Sequence, residues 1–80
     1  MPITDEMLRR MRDMLAEYSL SNATAARIAE ADARCLKDGE NKAFFEREAE
    51  QLRKEAAGAD ILCSAITQEL AERKMRNDRV

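Results

Sequence analysis

The chain has 80 residues, 16 of them acidic and 14 basic, with no histidine and two cysteines. Such a length buries only about 60% of its unfolded surface, and fourteen of its hydrophobic residues are alanine, which excludes a thick core in a lone monomer and makes a second copy or a partner the expected remedy. The near-neutral, interleaved charge argues against a nucleic-acid surface, which needs a basic excess to displace counterions, and two distant thiols without histidine leave no metal or disulfide framework, so no cofactor is expected.

The chain opens on Met1-Pro2-Ile3-Thr4-Asp5-Glu6 and turns acidic at once. No apolar run approaches the roughly 20 residues of a membrane span, so a soluble, cytoplasmic protein with no membrane contact is expected. Thr4 can cap a helix whose first turn carries Asp5 and Glu6, and Ile3 can staple onto Leu8. This first helix is expected over 5–20. Its apolar face reads Leu8, Met11, Leu15 and Tyr18 at four-three spacing, with Met7 and Met14 on the flank.

Around Ser19-Leu20-Ser21-Asn22 helical preference drops, because short polar side chains compete for backbone hydrogen bonds. A bend or break is expected there. A second helix then follows over 22–37, with Thr24, Ile28, Ala31 and Cys35 on its more apolar side. Lys37-Asp38-Gly39-Glu40-Asn41 is the clearest turn: lysine suits a last helical turn, Gly39 a C′ position and Asn41 an N-cap. The reversal is placed at 38–40.

From 41 to 76 one long helix is expected. Phe45, Ala49, Leu52, Ala56, Ala59, Cys63, Ile66 and Leu70 alternate four and three apart and form one narrow apolar seam. Gly58 interrupts it and reads as a point of close helix approach beside Tyr18, at a cost of about 1 kcal/mol in propensity relative to alanine. Cys35 and Cys63 both fall where a helix buries a small side chain, which makes them inert thiols suited to a reducing compartment.

Folding back at Gly39 sets Leu8 against Leu70, Met11 near Ile66, Leu15 against Cys63 and Tyr18 near Ala59. Large side chains then meet small ones, as close packing requires. The fold class is therefore all-α: one helical domain over 1–80, an antiparallel hairpin of two to three helices with coiled-coil character and a bent or broken first arm. Six acid-before-base pairs at i,i+4 add support: Asp5 with Arg9, Glu6 with Arg10, Glu30 with Arg34, Glu50 with Lys54, Glu69 with Arg73 and Glu72 with Arg76.

Two helices dry one stripe of each other and leave their flanks wet. Met7, Met14, Leu20, Ile28, Phe44, Ile61 and Leu62 lie on those flanks, and exposed apolar groups of that size mark an interface. A bundle completed by a homodimer or by a protein partner is the expected outcome. Residues expected to matter most for partner binding are Met7, Met11, Met14 and Tyr18 on the first arm and Leu62, Cys63, Ile66 and Leu70 on the second, through helix-in-groove recognition.

Arg9, Arg10, Arg12, Arg73, Lys74, Arg76 and Arg79 gather at the open end, which supplies the alternative reading of a nucleic-acid-binding regulator of a phage or mobile element acting as a helical dimer. Seven acids share that end, and no aromatic residues interleave for base stacking. Glu46, Glu48, Glu50 and Glu55 read as a solvated acidic side of the long helix. No nucleophile with a base, no phosphate loop and no ligand cluster is present, so no enzymatic activity is expected.

In its alanine-rich hairpin plan and the apolar rhythm from Ala49 to Ile66, the chain resembles the small helical co-chaperones of type III secretion needle subunits. Compact helical inhibitors and regulators encoded by phages and plasmids share the same character. The resemblance implies a small bacterial or phage protein acting as adaptor, inhibitor or co-chaperone.

Overall fold

The computed structural model describes residues 2–78. It contains two helices, α1 (Asp5–Cys35) and α2 (Glu40–Asp78), and no strand among the described residues. The helices lie antiparallel along a rod of 64 × 18 × 16 Å. No described helix is long and apolar enough to cross a membrane.

Thr4 caps α1 as its sequence position suggests. Its backbone is extended, its Oγ1 accepts the Met7 amide at 3.1 Å and its carbonyl accepts the Leu8 amide at 3.0 Å. The side-chain bond satisfies one of the four amides orphaned at a helix start, and the carbonyl bond is the first of the helix ladder.

α1 does not break at residues 19–22. Ser19 and Asn22 spend their side chains on the facing helix: Ser19 Oγ donates to Asp60 at 2.6 Å and Asn22 Nδ2 to Glu55 at 3.2 Å. Neither competes for the backbone of its own helix, which removes the local reason for a break.

The reversal spans 36–39, one residue longer than expected and shifted toward the N-terminus, and it is built differently. α1 stops at Cys35, and Leu36 takes an extended conformation with its amide bonded to the Ala33 carbonyl at 3.2 Å. Gly39 is not the residue that ends α1. It opens α2, with a φ of +154° that disfavours any side chain, and its carbonyl accepts the Ala43 amide at 3.1 Å. Asn41 accordingly lies inside the first turn of α2.

Along α2 every member of the expected seam, from Phe45 to Leu70, is buried or half-buried. Its partner seam on α1 differs from the expected one: Leu8, Arg12, Leu15, Ser19, Asn22, Ala26, Ala29 and Ala33, again four and three apart. Cross-helix bonds of Asp5 with Arg73, Ser19 with Asp60 and Asn22 with Glu55 all lie within one residue of the register expected from folding at Gly39.

The helices meet through small side chains. Of the seven buried hydrophobic residues six are alanines, and only Leu8, at 6% exposure, is large. Alanine opposite alanine lets two helices approach closely but removes little apolar area from water, since burial is worth roughly 25 cal/mol per Å².

Gly58 is not a close-approach point. A Cβ built there would meet nothing within 4 Å, because Gly58 lies on the outward flank of α2.

Candidate interaction surface

Met11 and Tyr18, expected in the seam, lie beside it. Arg12 and Ser19 take the inward positions, one residue further along, and one residue rotates a helical position by about 100°. With Met7 and Met14 they make a second stripe on α1: Met7, Met11, Met14 and Tyr18 at four-three spacing, all exposed, with Ala25, Ile28 and Cys35 continuing its rhythm. α1 thus has two parallel stripes, and the bulkier one faces outward.

The Tyr18 hydroxyl donates to Glu55 Oε2 at 3.3 Å and ties this stripe to the edge of α2. One heptad back along α1 and forward along α2, that register brings Met11 beside Leu62, which is also exposed. The sequence-derived interaction set therefore divides. Met7, Met11, Met14, Tyr18 and Leu62 share one open face, whereas Cys63, Ile66 and Leu70 are half-buried in the seam between the helices.

Glu55 does not belong to a solvated acidic side. It receives Tyr18 and Asn22 from α1 and Gln51 from its own helix at 3.2 Å. With Ser19–Asp60 it forms a polar clamp at mid-rod. A four-three count begun at Leu8 and held through Arg12, Ser19 and Asn22 to the alanines would have found it, but those residues do not look like core.

A second clamp closes the open end. Arg73 Nη1 donates to the Ile3 carbonyl at 2.6 Å and to Asp5 at 3.0 Å, while its Nε donates to Glu69 at 3.0 Å. Hydrogen bonding to Arg73 holds the Glu69 carboxyl below its ordinary range, and bonds to Glu69 and Asp5 raise the Arg73 guanidinium.

Of the six expected i,i+4 pairs, those of Glu6 with Arg10, Glu50 with Lys54 and Glu69 with Arg73 form. Asp5 and Glu30 instead reach across to Arg73 and Arg53, and Arg76 turns to Glu69. In the basic group at the open end Arg10, Arg12, Arg73 and Arg76 are each ion-paired. Arg79, the last of that group, lies outside the described residues.

Cys35 is exposed rather than buried, because α1 turns it onto the outer stripe. Cys63 is half-buried, with its Sγ 3.7 Å from the Arg12 carbonyl oxygen. No three potential metal-ligating side chains converge among the described residues.

Comparison of the chain with family models, with curated proteins and with solved structures finds no match.

Proposed function

We propose that the chain is a non-catalytic protein-interaction module, an adaptor, inhibitor or co-chaperone by class, that engages a protein through the face formed by Met7, Met11, Met14, Tyr18 and Leu62. The observation that carries this reading is the inversion of size across α1. Small and polar side chains line its inner seam, while four bulky ones stand outside, with Met14 at 69% exposure. A chain stabilised only by its own core gains nothing from that arrangement. Unbranched methionines suit a surface that packs against another protein.

The shape supports the same reading. The radius of gyration is 18.1 Å, against about 12 Å for a compact domain of this length. The rod exposes 6441 Å², whereas a compact monomer of its mass exposes roughly 4,900 Å². The difference exceeds the roughly 800 Å² that each partner contributes to a standard interface. The alternative of a nucleic-acid-binding regulator is less well supported, since most of the basic residues it would use are ion-paired.

The test is a pull-down from the native host with three baits: the unaltered chain, Met14→Asp combined with Leu62→Asp, and Leu20→Asp as a control on another face. Proteins held by the first and third baits and lost by the second, at unchanged helicity, are the expected result. Retention by all three would contradict the proposal.

A further inference from the structure

We infer that the occupant of this face is a second copy of the chain, stacked with α1 antiparallel to α1 about a two-fold axis that crosses α1 between Met14 and Tyr18. The inference rests on the interaction reading above and commits it to one partner. Three features of the molecule lead to it.

The first is steric. Antiparallel packing of the outer stripe on itself allows registers one heptad apart. In the register with the axis at residue 16, Tyr18 of one copy lies beside Met14 of the other, Met11 meets Ser21 and Met7 meets Ala25. Bulky side chains of the stripe meet each other only in the two symmetry-related Tyr18–Met14 contacts at the centre, and meet small ones elsewhere.

The second is charge. The geometry that places Tyr18 beside Glu55 at the edge of the internal seam places, at the equivalent edge of the new one, Arg10 beside Glu17 of the second copy. The two-fold repeats that pair. Sliding by one heptad in either direction sets Arg10 against its own copy or Glu17 against its own copy, and like charges there oppose association. Both side chains are exposed, and Arg10 engages only Glu6, on its own helix surface, at 3.0 Å.

The third comes from the other helix. The internal register carries the axis from residue 16 of α1 to the neighbourhood of Leu62 on α2. Gly58, Leu62 and Ala65 are the apolar stretch of α2 on that same face, bounded by Glu55 and Glu69. Those two glutamates are already engaged within their own chain.

The experiment is sedimentation equilibrium of the full chain between about 1 and 100 μM, with helicity checked by circular dichroism. The unaltered chain is expected to be dimeric in this range. Arg10→Glu and Glu17→Arg are each expected to weaken the dimer about tenfold, because symmetry turns both edge pairs repulsive. The double variant is expected to recover to within about threefold of the unaltered chain, and Leu20→Glu, on another face, to leave association unchanged. Arg10→Glu also loses the Glu6 contact, but the double variant shares that loss, so recovery reports the contact between copies. A monomer at 100 μM overturns the inference, and so does a dimer whose double variant is no tighter than the weaker single one. A monomeric chain that still captures a host protein through Met14 and Leu62 would leave the interaction reading standing and remove only the second copy as its occupant.

Discussion

The two faces of α1 differ in a direction opposite to ordinary expectation. The face turned to α2 carries alanines, a serine, an asparagine and an arginine around Leu8 and Leu15, and the face turned to water carries three methionines and a tyrosine. The hairpin is held by small interlocking side chains and cross-helix hydrogen bonds more than by apolar bulk. Its larger apolar side chains stand outside that contact.

The inner face is therefore expected to be intolerant of volume changes in both directions. Leu8→Ala is expected to cost about 2 kcal/mol or more, at the low end for a buried leucine because the site lies near the end of the rod. Ala49→Leu, at a position 2% exposed, is expected to cost about 1 to 3 kcal/mol by overpacking. Urea denaturation measures both. Two unaffected midpoints would break the distinction between the faces.

A smaller effect of opposite sign is expected at Gly58. Since a methyl group there meets nothing, Gly58→Ala should raise stability by up to about 1 kcal/mol through helix propensity alone. Destabilisation would restore the close-approach reading and move the outer boundary of the seam.

The smallest effect concerns the open end. The Glu69 carboxyl is held below its ordinary value by Arg73, so its contribution is fully present above the unfolded value of about 4.3. That contribution is lost as pH falls through the lower folded value. Protection of the amides at residues 5–8 against exchange, relative to the unstructured rate at the same pH, should therefore fall on acidification below about pH 4, and Glu69→Gln should remove that part of the pH dependence. An unchanged profile would mean that the Arg73 clamp does not hold the end shut.

Much of the fold was legible. The Thr4 cap, the reversal around Gly39, the α2 seam from Phe45 to Leu70 and the register between the arms all follow from spacing and local chemistry. The continuity of α1 was not, because local propensity at Ser19 and Asn22 gives no sign that Asp60 and Glu55 stand opposite to receive their side chains. The inner face of α1 was misassigned for a related reason. Two four-three stripes run one residue apart from Met7 to Ser19, and hydrophobicity alone favours the bulkier of them at Met11 and Tyr18. Only the alanine run at Ala26, Ala29 and Ala33, counted backwards, picks out Arg12 and Ser19. The open face was legible at Met7, Met14 and Leu62, as residues left over once a seam had been chosen.

The most direct measurement is the unfolding free energy of Met11→Gln combined with Met14→Gln, taken by circular dichroism at sub-micromolar concentration. At that dilution association contributes little, so the value reports the hairpin alone. A change within about 0.5 kcal/mol is expected, as for exposed positions. A loss of about 2 kcal/mol or more, comparable to truncating a buried core side chain, would place the methionines inside the fold and contradict the account.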